Sequence, residues 1–330
     1  MRMLFRHAGI YYHKHCWSTV YYPNHFVTPN HFGARSLTLS LTSGFEHIVR
    51  ENEPLAAHTS LKLGGAAQYF AEPTSTDELV ALVKRCAEDQ IPVRLLGGGS
   101  NVLVSSEGVQ GCVILLSAPE FSQIKVEGST MTVGGGAKLS HFISTAAREG
   151  FSGPEQLVGI PGTVGGALHN NTGYHGVDVG SWVRSATVLT LDGQVATRDA
   201  DSLSFSYRQS SLTELAILEG KFEFETEPAD ALTKRMQKLW IVRRAAQPDS
   251  DENAAYMFRD HGGESASKLI ADAGLSGESV GSVHISDRDP NFIVASPGAT
   301  SEQVLELMDK VRQQVADRLE IELQDAIQRW

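Results

Sequence analysis

Six glycines, Gly159, Gly162, Gly165, Gly166, Gly173 and Gly176, fall within one stretch of eighteen residues, with Pro161 among them. Each glycine in a helix or strand interior costs roughly 0.5–1 kcal/mol, so no long regular element crosses this stretch. Turns by themselves account for one or two positive-φ residues. The remaining glycines point to a backbone that bends repeatedly and lets a ligand come close where Cβ atoms would stand.

The chain has 330 residues, enough for two or three domains. Its 28 basic and 39 acidic side chains give a net charge of −11, which argues against a nucleic-acid-binding surface but leaves room for a local basic pocket. Cys16, Cys86 and Cys112 are odd in number and show no CxxC spacing, so neither a disulfide framework nor a zinc site is expected, and the expected compartment is the reducing cytoplasm. No apolar run approaches the roughly 18 residues of a membrane span. Residues 1–43 hold Arg2, Arg6, Lys14 and Arg35 and no acidic residue, and include His7, His13, His15, His25 and His31. They lack helical periodicity and a signal-peptide core, so they read as an extension outside the folded unit, disordered or from a misassigned start, with no metal site.

From residue 44 the pattern is globular. Residues 60–70 read as a strand broken at Gly64 and Gly65, and Pro73 closes it. A helix follows, with Thr76 as its cap and Leu79, Leu82, Val83 and Cys86 as its apolar stripe. Residues 92–96 then form a buried strand, completing a βαβ unit. That strand runs into Gly97, Gly98, Gly99, Ser100 and Asn101, a turn suited to phosphate oxygens, although it is neither a Walker loop nor a GxGxxG fingerprint. Strands at 112–116, 124–126 and 130–133, a helix at 139–149, and a hairpin turning at Asp192 and Gly193 make the middle of the chain mainly antiparallel. Arg208, beside Tyr207, is suited either to a bidentate grip on an anion or to a surface salt bridge. A helix at 230–246 carries Arg243 and Arg244, which face either solvent or a substrate phosphate. A helix at 265–273 ends at Gly274, and Val304, Met308, Val311 and Val315 stripe a last helix, followed by a closing strand or tail at 321–327.

Several stretches in order resemble the UDP-N-acetylenolpyruvoylglucosamine reductase family: His58 to Gly65, Leu96 to Val104, Gly153 to Gly176, Tyr207 to Ser210, Arg244 to Pro248, Ser267 to Ile270, and Asn291 to Val294. The resemblance implies an α+β fold. Its parts would be a vanillyl-alcohol-oxidase (PCMH)-type FAD-binding module of two α+β subdomains, at 44–110 and 111–226, and a smaller C-terminal α/β substrate domain at 227–330. It implies FAD lined by Gly97, Gly98, Gly99, Ser100, Asn101, Gly159, Ile160, Pro161, Gly162, Gly165, Gly166, Asn171 and Gly173. It also implies NADPH as reductant, and Tyr207, Arg244 and Asn291 on a nucleotide-sugar substrate.

The implied reaction reduces an enolpyruvyl group in peptidoglycan precursor synthesis. Arg208 matches the family's catalytic arginine, which stabilises the developing enolate. The family's proton-donating serine or cysteine aligns with Tyr256, with Arg259 as a neighbour that would assist, and its catalytic glutamate aligns with Ala326 near Glu322 and Asp325. The expected protein is therefore a monomeric, cytoplasmic reductase using Tyr256 or an ordered water as acid. The alternatives are a flavin oxidoreductase of another substrate and a non-catalytic paralogue that binds flavin or a nucleotide sugar.

Overall fold

Three sheets organise residues 40–174, 176–248 and 253–330, which the computed structural model describes. The histidine-rich part of the extension, with the expectations attached to it, lies outside the described residues. Leu41 is buried in the core of the first sheet, so packing begins before residue 44.

The first sheet has the order Val49–Pro54, Ala66–Ala71, Val109–Leu115, Val93–Leu96. Its first pair is antiparallel and the other two are parallel. Helix α1 (Thr76–Glu88) lays Leu79, Leu82, Val83 and Cys86 on this sheet, as its periodicity predicts. Its cap is Ser75 rather than Thr76, because the Ser75 hydroxyl accepts the Glu78 N–H at 3.3 Å. The strand expected at 60–70 starts only at Ala66. Before it, Lys62 and Gly64 have φ of 55° and 115°, and a side chain at Gly64 would run into Val104.

The second sheet is antiparallel throughout, in the order Val195–Asp199, Val183–Leu189, Ala216–Glu223, Thr130–Gly134, Ile124–Glu127. Helix α2 (Leu139–Arg148) covers it with Leu139, Phe142, Ile143 and Ala146. The short α3 (Val164–His169) and the long α4 (Ala229–Ala246) pack nearby, α4 against α2.

Two boundaries differ from expectation. The strand expected within the antiparallel middle, Val109–Leu115, lies in the first sheet between two parallel neighbours, so the sheets divide near Leu116 rather than at 110. Its nearly continuous apolar run suits a strand covered on both faces. Helix α4, expected with the C-terminal part, instead belongs with the second sheet.

The third sheet, Ala254–Tyr256, Phe292–Ala295, Val283–Ile285, Ser279–Val280, is antiparallel. Helices α5 (Ala266–Asp272) and α6 (Ser301–Leu319) complete this unit, α6 through Val304, Leu307, Met308, Val311 and Val315. Leu61 and Leu103 of the first unit enter the same core. Among the described residues no helix is long and apolar enough to cross a membrane.

Candidate functional site

The two glycine-rich turns face each other where the first two sheets meet. A Cβ on Gly98 would stand 2.6 Å from Gly162 Cα, and one on Gly97 would stand 3.0 Å from Thr163 Oγ1. Ser100 Oγ donates to the Pro161 carbonyl at 3.4 Å. Gly99 and Gly162 have φ of 65° and 123°, a region open to glycine. The second turn is held from behind: Gly165 N–H donates to Gly135 O at 2.8 Å, and Leu139 N–H to Gly162 O at 3.0 Å. The two turns therefore lie in backbone contact, with the Ser100 and Thr163 hydroxyls beside the seam. The outer edge of this glycine seam, with its backbone N–H groups and missing Cβ atoms, fits the diphosphate of a dinucleotide cofactor.

Asn171 does not line this edge. It is buried, with φ 43°; its Nδ2 donates to Ser206 O at 2.8 Å and its Oδ1 accepts from Gly180 N–H at 3.0 Å. Its amide therefore ties the hairpin of Phe205–Ser206 and Gln209–Ser210 to the backbone at Gly180. Gly173 is likewise occupied in a short ladder with Asp178.

Tyr207 and Arg208 form the tip of that hairpin. Arg208 has φ 57°, and its guanidinium lies 5.6 Å from the Tyr207 ring centre. The Tyr207 hydroxyl accepts the Asp260 N–H at 3.1 Å, so this residue spans from the second unit to the third.

Tyr256 ends the first strand of the third sheet, its ring edge-on to Phe292 at 5.2 Å. Its hydroxyl donates to Asp260 Oδ1 at 3.4 Å. Asp260, rather than the Arg259 expected beside it, is thus one partner of the phenol, and the Asn291 side chain is another. Burial raises the Tyr256 pKa and the Asp260 charge adds to this; the Asn291 hydrogen bond lowers it, Asp289 raises it and the Arg208 charge lowers it by smaller amounts. Asn291 is fully buried, and its amide closes two bonds on Phe258, to the carbonyl at 2.7 Å and from the N–H at 3.0 Å. It therefore positions the segment following Tyr256 and has no exposed surface to offer a substrate. Ala326 N–H donates to Met257 O at 2.8 Å, placing residue 326 beside the same segment.

The arginine that α4 directs inward is Arg243. Arg244, the expected substrate contact, is exposed and lies over Trp240 at 5.2 Å. Arg243 is only 6% exposed, its guanidinium is 4.0 Å from the Tyr174 ring centre, and its Nη1 has no hydrogen-bond partner among the described residues. Its Cδ is 3.0 Å from where a Gly159 Cβ would be. Burial pushes its pKa down, Tyr174 opposes this, and the Arg208 charge adds to the depression. A buried guanidinium with an unsatisfied nitrogen at the edge of the glycine stretch is suited to receive an anion.

A signal for Arg243 was present in the sequence. It follows the buried Leu232 by about three helical turns, in phase with the inward face, whereas Arg244 is one residue out of phase. The helix is fixed to the glycine stretch by buried Glu155, which accepts from Gly153 N–H at 2.7 Å and from Arg235 Nη1 at 2.8 Å.

The family model described as an FAD binding domain matches residues 67–198, a span that includes both glycine turns. The model described as the UDP-N-acetylenolpyruvoylglucosamine reductase C-terminal domain matches residues 247–330. The UDP-N-acetylenolpyruvoylglucosamine reductase of Rhodopirellula baltica is 39% identical over 297 residues, covering 90% of this chain and 97% of that protein. The chain belongs to the UDP-N-acetylenolpyruvoylglucosamine reductase family. Its Bacillus subtilis member is 34% identical over 283 residues, covering 85% of this chain and 93% of that one. The crystal structure of the Thermus caldophilus member superposes with a TM-score of 0.74 at 32% identity, covering 86% of this chain and 99% of that one. The resemblance read from the motifs and the FAD-module fold both hold.

Proposed function

We propose that this chain is an FAD-dependent, NADPH-using reductase of UDP-N-acetylglucosamine enolpyruvate, acting in peptidoglycan precursor synthesis. The observation that carries this reading is that Arg243 packs on Gly159 of the second glycine turn while the Tyr207–Arg208 hairpin tip and the Tyr256 hydroxyl both bond to Asp260. When bound, FAD supplies the hydride that NADPH provides. The turns at 97–101 and 159–166 would hold its diphosphate against their backbone. Arg243 would take an anionic group of the substrate on its unpaired Nη1, and Arg208 would stabilise negative charge growing on the enolpyruvyl carboxylate. The Tyr256 hydroxyl, kept protonated by burial and Asp260, would give its proton to the carbon next to that carboxylate.

The substrate is a small nucleotide sugar, and a net charge of −11 argues against nucleic acid as the partner. The free buried thiols of Cys86 and Cys112 suit a reducing cytoplasm, and we infer a monomer there.

Three steps test the reading. The purified protein is expected to be yellow, to bleach with NADPH without oxygen, and to regain its colour when the enolpyruvyl substrate is added. Bleaching without recovery would favour a different substrate, and absence of bound flavin would overturn the reading. In Arg208→Lys, turnover is expected to fall by about 10²-fold or more with FAD content and bleaching unchanged, since lysine cannot form a bidentate fork. Full turnover in that variant would remove Arg208 from its role.

Arg243→Met is expected to be as stable as the parent or about 1 kcal/mol more so, because it removes a buried charge with an unpaired nitrogen. Its affinity for the substrate should nonetheless drop at least tenfold. Urea unfolding and binding titration measure the two effects, and unchanged affinity would exclude Arg243 from the site.

A further inference from the structure

Segment 324–330 is bonded to both halves of the site. On one side Arg259 N–H donates to Gln324 O at 2.8 Å and Ala326 N–H to Met257 O at 2.8 Å, so the segment pairs with the residues that follow Tyr256. A few residues on, Gln328 N–H donates to Asn101 O at 2.9 Å, Trp330 N–H to Leu103 O at 2.9 Å, and Ser105 N–H to Trp330 O at 2.9 Å. Gln328–Arg329 thereby forms a parallel ladder with Val102–Leu103, immediately after the glycine turn.

Each end is anchored in a different core. Leu323 and Ile327 are buried with the third sheet, whereas Trp330 packs against the cluster of Leu55, Phe70, Leu96 and Val104 beneath the first. Between them Asp325 is paired with Arg312 of α6 at 2.5 Å and with Arg329 at 2.6 Å. An extended chain spans at most about 3.3–3.6 Å per residue and has almost no slack over the step from Ala326 to Gln328.

We propose that segment 324–330 is a positioning element that holds the cofactor turn at 97–101 in register with the strand bearing Tyr256, so that flavin binding and placement of the proton donor are coupled. This rests on the assignment of residues 97–101 to FAD made above. Proline at 328 removes the N–H given to Asn101 O, whereas alanine keeps it. FAD titrated into apoprotein is expected to bind Gln328→Pro about tenfold more weakly, the scale of one lost hydrogen bond, and Gln328→Ala about as tightly as the parent.

In the unsubstituted protein, amide exchange at Arg259 and Ala326 should slow when FAD is added, and this slowing should be lost in Gln328→Pro. Parent-like FAD affinity in Gln328→Pro, or exchange at Arg259 and Ala326 that ignores FAD, would overturn the coupling. The exchange measurement decides the matter even if the proline variant does not fold. Gly98→Ala separates the two ideas: if it loses FAD while Gln328→Pro does not, the tie is wrong, and if it keeps FAD, the assignment of the turn is wrong.

Discussion

Gly98→Ala is expected to yield a folded but colourless protein, with FAD affinity reduced by at least about 100-fold. Gly98 is solvent-exposed, so the added methyl group meets no core residue. It does meet the facing turn, at 2.6 Å from Gly162 Cα, and backbone cannot step aside as the end of a flexible side chain can. Ordinary carbon contacts need about 3.5–4.0 Å, so the two turns must part by roughly 1 Å. A diphosphate seated along the shared edge of the two turns loses its close contacts over such a distance, while sheets and helices behind the turns remain as they were. Visible absorbance per protein molecule reads the loss, and far-UV circular dichroism with thermal unfolding reads the fold. A full complement of FAD in this variant would show that the cofactor does not sit on the edge of these turns.

In Tyr256→Phe, turnover of the enolpyruvyl substrate should fall by about 10²–10⁴-fold with NADPH bleaching intact. The phenyl ring keeps its edge contact with Phe292 and loses only the hydroxyl that meets Asp260. Single-turnover kinetics separate the half-reactions, and a variant with parental recovery would assign the proton to water or to another group. The pH dependence carries a second signature. A free phenol ionises near pH 10, but burial and the neighbouring Asp260 raise the Tyr256 value, so its acid form persists through that region. The rate of the second half-reaction is therefore expected to show no loss from Tyr256 ionisation between about pH 8 and about pH 10.

The elements legible from sequence were those whose pattern is local. Helix α1 showed its apolar stripe, the hairpin at Asp192 and Gly193 its turn dipeptide, and the two glycine turns their density. Position on an element was harder to read than its existence. Arg243 and Arg244 are neighbours in sequence, and a rotation of about 100° between them sends one into the site and the other to solvent. Asn171 and Asn291 read from the sequence as contacts to the cofactor and the substrate, because an amide gives the same hydrogen bonds to backbone as to a ligand. In the structure their amides bond to Ser206, Gly180 and Phe258.

The sequence by itself determined where backbone must bend without side chains, which arginine and tyrosine were available for chemistry, and which family the motifs resemble, since each rests on residue type and short-range spacing. Only the tertiary structure decided that Gly98 abuts Gly162, that Val109–Leu115 joins the first sheet, that the Tyr256 phenol has Asp260 as a partner, and that residues 324–330 bind both halves of the site. These contacts join residues that are mostly distant in the chain, and their identity depends on how sheets pack and on which buried polar group still needs a partner. No local pattern of residues carries that information.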